Sequence, residues 1–149
     1  MASRRKGRIL AFQALYSWDA HYTQTKDPSI PDGLLDFSWA LSAGKTTLNE
    51  EVTAFARLLV TGAVENIAKV DDMIKKHLQN WDLSRLNRVD LAVLRMSVYT
   101  LMFQKDMHPS IVIDEAIGIT KEFGTNDSYR FVNGVLDSVR KTIGEALEK

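Results

Sequence analysis

The chain has 149 residues, of which 45% are hydrophobic and 26% charged, and it contains no cysteine. This length suits one globular domain over residues 1–149, and the lack of thiols excludes disulfides and cysteine-based zinc sites, as expected of a cytoplasmic protein. The formal net charge is zero, and no apolar run approaches the roughly 20 residues that a bilayer requires, so a membrane-spanning protein is excluded.

The charges are unevenly distributed along the chain. Four basic residues precede the first acidic one: Arg4, Arg5, Lys6 and Arg8. Residues 27–74, in contrast, contain eight acidic and only three basic residues. This asymmetry predicts an anionic partner for the amino-terminal end. A secretory signal is not expected because polar residues interrupt the apolar stretch that follows, and a mitochondrial presequence is a minor alternative.

The first half of the chain predicts helices joined by one irregular connection. Large apolar side chains recur at helical spacing from Arg4 to Tyr22 and predict the first helix. Turn-forming residues between 24 and 33 predict a bend before a short helix at residues 34–41, which Gly44 ends.

A long amphipathic helix is predicted next. Thr47 and Glu50 have the spacing of a capping box, and apolar residues from Val52 to Leu78 then step by three or four over about seven turns. Gly62 lies within this pattern and is a candidate break or kink.

The central helix is predicted to follow Asp82, which is a candidate N-cap. Residues 86–103 carry two apolar stripes on different faces. Because a helix that is apolar all round must be surrounded by other elements, this segment is expected at the centre of the fold.

Two further helices complete the prediction. Pro109 opens one that ends at Gly124 in a left-handed cap conformation, and Asn126 or Asp127 caps the last. Its inner face is formed by Val132, Val135, Leu136, Val139 and Ile143. No strand-like alternation competes, so the predicted fold class is all-α, with two helical sub-bundles in one domain.

Motifs for catalysis or metal binding fail on their spacing. The sequence S-A-G-K-T-T at residues 42–47 lacks the first glycine of a phosphate-binding loop, because Trp39 stands in its place. The three histidines are scattered, and neither H-E-x-x-H nor G-x-S-x-G occurs. No catalytic residue, metal or cofactor is therefore expected.

The adjacent acidic residues also have an ordinary interpretation. Neighbours on a helix point about 100° apart, so neither pair forms a site by itself. Asp71 and Asp72 are expected on a solvated helix face. Asp114 and Glu115 are expected near a helix start, where the helix dipole favours acidic side chains.

The amino-terminal basic cluster is the first candidate nucleic-acid surface. Arg4 and Arg8 lie one helical turn apart with Arg5 beside them, so their guanidinium groups would share a face that suits phosphates. Gln13 and Tyr16 could add hydrogen bonding and stacking to unpaired bases. The alternative is a frayed, solvated terminus with Tyr16 in the core.

The second candidate surface is the start of the last helix. A helix amino terminus presents backbone amides to a phosphate, and Arg130 adds positive charge. Phe131 lies about 100° from the apolar stripe, and Asp127 could hydrogen-bond a base. In the alternative interpretation, Asp127 only caps the helix and Phe131 lies at the edge of the core.

Three sequence blocks carry a resemblance to a known family. They are R-R-K-G-R with F-Q-A-L-Y-S-W-D between Arg4 and Asp19, V-D-L-A-V-L-R-M-S-V-Y at Val89 to Tyr99, and E-F-G-T-N-D-S-Y-R-F-V-N-G-V-L-D at Glu122 to Asp137. Over nearly its whole length the chain resembles the NusB family of transcription antitermination factors. This implies two three-helix sub-bundles plus an extra helix.

The resemblance also implies a non-catalytic function without a cofactor. NusB-type proteins pair with NusE, a ribosomal protein of the small subunit, and bind the boxA element of nascent ribosomal RNA transcripts. The complex helps RNA polymerase to read through terminators. The implied RNA contacts are Arg4, Arg5, Lys6, Arg8, Asp127, Arg130 and Phe131, and the implied NusE contacts are Tyr16 and Asp90. Tyr16 thereby moves from the RNA surface to the partner surface.

Some positions depart from the family pattern. Gly7 replaces the usual alanine and is expected to weaken its helical turn, and Asp114 stands in V-I-D-E-A where the family has A-I-N-E-A. Gly118 and Thr120 lower the helix propensity of the following segment, which bears on how well the NusE surface is retained.

Two other interpretations are open to the sequence. One is a helical protein-binding scaffold, or a homodimer that covers its own basic face. The other is the NusB-like module of a ribosomal RNA methyltransferase, which would need a catalytic domain that these residues do not include.

Overall fold

The computed structural model describes residues 2–40, 49–78 and 82–148, and the regular structure within these ranges is entirely helical. The α-helices are α1 (Ala2–Thr25), α2 (Glu50–Glu65), α3 (Ile67–Lys76), α4 (Arg88–Phe103), α5 (Pro109–Phe123) and α6 (Ser128–Glu148). Short 3-10 turns cover Leu34–Asp36, Ser38–Ala40 and Leu83–Arg85. The all-α prediction is confirmed. None of these helices is both long and apolar enough to cross a membrane.

Helix α4 lies at the centre of the fold, as its apolar stripes predicted. Every residue from Asp90 to Leu101 is buried. Helix α4 packs against each of the other five α-helices, and α1 also packs against α2 as α5 does against α6. The two predicted sub-bundles therefore share contacts with α4, and one hydrophobic core runs through both.

The helix predicted from Val52 to Leu78 is in fact two helices, α2 and α3. Asn66 leaves helical geometry, with φ −112° and ψ 23°, and its side-chain amide donates a 2.9 Å hydrogen bond to the carbonyl of Gly62. An asparagine side chain that bonds the backbone in this way competes with helix continuation. Gly62 itself remains helical, so the break lies four residues beyond the position predicted.

Gly62 has a different role, at the contact between α2 and α4. A methyl group at this position would overlap the Cζ and hydroxyl oxygen of Tyr99 on α4. The glycine lets the two helices approach closely around a buried aromatic ring.

The start of α2 is set by Asn49. Its side-chain oxygen accepts a 2.7 Å hydrogen bond from the amide of Glu51, which satisfies one of the unpaired amides of the first turn. Thr47, predicted as the cap, lies outside the described residues, as does Gly44.

The short helix predicted at residues 34–41 consists of two 3-10 turns separated by Phe37. Phe37 has a left-handed φ of 58° and a fully buried side chain. The guanidinium of Arg57 lies 5.9 Å from this ring, and its Nε donates a 2.8 Å hydrogen bond to the Leu35 carbonyl. These contacts hold residues 35–37 against α2.

Two predicted caps differ from those observed. Asp82 caps the 3-10 turn that precedes α4, whereas Asn87 caps α4 itself by accepting a 2.8 Å hydrogen bond from the amide of Val89. Gly124 is extended (φ −97°, ψ −169°) rather than left-handed. A Cβ there would lie 2.6 Å from the Ser128 hydroxyl, so close packing at the α5–α6 junction requires the glycine.

A buried ionic cluster joins α1, α3 and α4. Arg95 donates two 3.0 Å hydrogen bonds to Asp71 and one of 2.8 Å to Asp19, and its guanidinium lies 5.5 Å from the Trp18 ring centroid. Burial disfavours the charged form, but the hydrogen bonds and attraction of the two aspartates outweigh it, so the pKa of Arg95 is raised. The solvated face predicted for Asp71 is therefore wrong.

Candidate nucleic-acid interface

The amino-terminal basic residues lie on α1, where it packs against α2. Arg4 and Arg8 share one face, as predicted, and their Cζ atoms lie 5.0 and 5.5 Å from the centroid of the Phe55 ring. Gly7 permits this contact, since a Cβ would lie 2.7 Å from Phe55 Cδ2 and 3.2 Å from the Val52 carbonyl oxygen. The alternative of a frayed terminus does not hold for these packed residues.

Arg8 is enclosed between helices. Its side chain is only 7% exposed, and Nη1 lies 3.9 Å from Glu115 Oε1 on α5. Burial lowers the pKa of Arg8, and the negative charge of Glu115 opposes this. In this conformation Arg8 stabilises the packing of α1, and it cannot reach a phosphate without leaving its site.

Arg5 is half-buried against α5. Its Nη1 lies 3.4 Å from Glu115 Oε2 and its Nη2 lies 3.4 Å from Glu122 Oε2. Gly118 accommodates the guanidinium, because a Cβ there would lie 2.9 Å from Arg5 Nη1. This glycine, which sequence reasoning treated only as a weak helix former, thus makes room for the arginine.

The four predicted basic residues are therefore not equivalent. Arg4 and Lys6 are exposed, whereas the charges of Arg5 and Arg8 face carboxylates of α5. Sequence reasoning missed these acidic partners because they lie more than 100 residues away in the chain. The surface positive charge is smaller than the local sequence indicates.

The second predicted segment surrounds the first turn of α6. Arg130 is exposed, and its Nε donates a 3.1 Å hydrogen bond to the Tyr129 hydroxyl. Lys121 of α5 places its Nζ 4.9 Å from the centroid of the same ring. Asp127 is exposed directly before α6. Phe131 is half-buried against the core, which agrees with the alternative that placed it at the edge of the core.

Helix α5 connects the two predicted segments. Glu122 contacts Arg5, and the neighbouring Lys121 contacts Tyr129. Neither Lys121 nor Tyr129 was proposed as a contact from the sequence, although Tyr129 lies within the E-F-G-T-N-D-S-Y-R-F block and Lys121 directly precedes it. The arrangement offers exposed cations and an aromatic ring, which are the groups that bind phosphates and stack on bases.

Tyr16 lines a groove of about 340 Å³ that extends to Phe123, the last residue of α5. Its side chain is 48% exposed, so the alternative that placed Tyr16 in the core is wrong. Two more exposed aromatic residues, Trp39 and Phe123, line the same groove. An exposed aromatic groove is typical of a protein-binding surface.

Asp90, predicted with Tyr16 as a partner contact, is buried at the start of α4. Its Oδ1 atom makes no hydrogen bond to any of the described residues. Burial raises the pKa of Asp90, and a hydrogen bond with Ser128 opposes this shift. Direct contact with a partner would require the carboxylate to leave this environment.

Asp90 is expected to make stability depend on pH. The pKa of Asp90 is higher in the folded protein than its value of about 3.9 in the unfolded chain, so the folded protein binds the proton more tightly. The free energy of unfolding therefore falls as the pH rises from the unfolded pKa through the folded pKa. The Asp90→Asn variant should lack this fall, so its stability relative to the wild type should increase between acidic and neutral pH. Urea unfolding of both proteins across this pH range measures the difference. Parallel curves of unfolding free energy against pH would contradict the raised pKa of Asp90.

In the part of the chain that the structure describes, no three His, Asp or Glu side chains converge closely enough to hold a metal ion.

Comparison with known proteins agrees with the fold and with the three sequence blocks. The model of the NusB family matches residues 5–141. The transcription antitermination protein NusB of Treponema denticola is 50% identical over 137 residues, which cover 92% of this chain and 95% of that protein.

Solved structures give the same relationship. T. maritima NusB superposes with a TM-score of 0.75 at 36% identity, covering 93% of this chain and 90% of that one. A structure of antitermination factors NusB and NusE in complex with dsRNA contains a chain that superposes with a TM-score of 0.76 at 29% identity. The match covers 95% of this chain and 98% of that one. The protein described here belongs to the NusB family.

Proposed function

We propose that this protein is a transcription antitermination factor that binds boxA-type RNA of nascent ribosomal RNA transcripts together with NusE. It would act without catalysis, as a single cytoplasmic domain in an RNA polymerase antitermination complex. The observation that carries the proposal is the match over nearly the whole chain to a relative named for transcription antitermination. The related structure that contains NusE and RNA supports both partners.

The proposed RNA surface runs along α5. It comprises the exposed Arg4 and Lys6 with the half-buried Arg5 at one end, and Asp127, Arg130 and the edge of Phe131 at the other. Lys121 and Tyr129 extend it, because their contacts hold a cation and an aromatic ring beside Arg130. For NusE we propose the groove around Tyr16, where exposed aromatic side chains provide apolar contact area.

A binding titration tests this function. Labelled boxA RNA, a scrambled single strand and an RNA duplex are titrated with the protein, alone and with NusE, at two salt concentrations. We expect preferential binding to boxA that NusE strengthens and salt weakens. Equal binding to all three RNAs, or none, would favour the protein-binding scaffold, and size-exclusion chromatography would then show whether a homodimer covers the basic face.

The exposed cations of α1 are expected to contribute directly to RNA affinity. Replacing Arg4 and Lys6 together by glutamine should weaken binding about thirtyfold at low salt, since two phosphate contacts of on the order of 1 kcal/mol each are lost. The dependence of log affinity on log salt should become shallower by about 1.4 for a single strand. The control replaces exposed Lys69 and Lys76 of α3 by glutamine. An equal loss in that control would show a general charge effect.

A further inference from the structure

Two carboxylates of α5 lie where the basic helix would meet an anion. Glu115 and Glu122 each place an oxygen 3.4 Å from one terminal nitrogen of Arg5. A phosphate that bound this guanidinium would use the same donors. The protein therefore contains an internal competitor for the anion that its amino-terminal helix is proposed to bind.

The two acidic residues differ in their surroundings. Glu115 is 23% exposed and also faces the buried Arg8, so its charge supports the packing of α1 against α5. Glu122 is 52% exposed, and among the ion pairs of the described residues its single contact is with Nη2 of Arg5. Exposed ion pairs contribute little to stability, so an incoming phosphate can displace Glu122 at low cost.

We propose that Glu122 sets the affinity of the RNA surface by competing with phosphate for Arg5. This inference rests on the proposed function, since it names a control on the same RNA site. In the absence of RNA, Arg5 is paired, and only after Glu122 is displaced does it act as a phosphate contact. In the wild-type protein Arg5 then adds little net attraction for RNA, because an RNA phosphate only takes the place of the Glu122 carboxylate.

The Glu122→Gln variant tests the proposal against Glu65→Gln, which removes the same charge from an exposed position at the end of α2. Affinity for boxA RNA with NusE is measured at several salt concentrations. Glu122→Gln should bind about three- to fivefold more tightly, as expected when one nearby unit charge is removed in a water-like dielectric. Its log–log salt dependence should be steeper by about 0.7, the contribution of one additional phosphate contact on a single strand.

An Arg5→Gln background isolates the contact itself. If Glu122 acts through Arg5, the gain from Glu122→Gln should disappear when Arg5 is also replaced by glutamine. Glu122→Lys provides a second variant with a larger expected gain, and thermal melting curves verify that each variant folds. A gain that persists without Arg5 would overturn the proposal, because the effect would then be general electrostatics.

The outcomes separate this inference from the proposed function. If the wild-type protein shows no preference for boxA RNA, the proposed function fails. If it prefers boxA but Glu122→Gln binds no better than Glu65→Gln, the function stands and the competition is wrong. Weaker binding by Glu122→Gln would also overturn it, since Glu122 would then hold Arg5 in a productive position.

Discussion

The Arg95→Leu variant is expected to lose about 3–5 kcal/mol of unfolding free energy, the usual effect of removing one partner from a buried ion pair. Arg95 is buried and donates hydrogen bonds to Asp19 and Asp71, which come from two other helices. Without the guanidinium, the buried Asp71 would lose both of its hydrogen bonds, whereas Asp19 would keep its 3.0 Å ion pair with Arg88. Urea unfolding at neutral pH measures the loss.

The control for this prediction is Arg85→Leu. Arg85 is exposed in the 3-10 turn that precedes α4, so its replacement should change stability by about 0.5 kcal/mol or less. Replacing Asp71 by asparagine in the Arg95→Leu background should recover part of the loss, because one uncompensated charge is removed. Equal stability of the two arginine variants would contradict the assigned role of the cluster.

The Gly62→Ala variant is expected to lose about 1–3 kcal/mol, although alanine has the higher helix propensity. The added methyl group would overlap the buried ring of Tyr99, so either the ring or the α2–α4 contact must move. Gly134 of α6 provides the matched control, because a Cβ there meets no heavy atom within 4 Å.

Gly134→Ala should therefore raise stability by about 0.5–1 kcal/mol through helix propensity alone. Thermal and urea unfolding of both glycine variants give the comparison. If Gly62→Ala were as stable as Gly134→Ala, the close approach of α2 and α4 at Tyr99 could not be correct.

The parts of the fold that the sequence predicted depend on local patterns. The doubled apolar stripe at residues 86–103 identified α4 as central, and Pro109 correctly marked the start of α5. The inner face predicted for α6 is buried from Val132 to Val139. Apolar periodicity continues through Asn66, however, so it could not reveal the break between α2 and α3, which a side-chain hydrogen bond to Gly62 accompanies.

The charged contacts were less accessible to sequence reasoning. Arg95 interrupts the apolar pattern of α4, but its partners Asp71 and Asp19 lie 24 and 76 residues away in the chain, so no local pattern could identify them. The same holds for Arg5 and Glu115, which are 110 residues apart. Local charge patterns locate the cations, and only tertiary packing determines which of them remain exposed.

The measurement that tests the central claim most directly is transcription through a terminator placed downstream of boxA. The protein is added with NusE to a bacterial transcription extract depleted of its own NusB, and full-length and terminated transcripts are quantified. We predict that the protein raises the full-length fraction on the boxA template and leaves a template with scrambled boxA unchanged. No increase, or an equal increase on both templates, would contradict the proposed function.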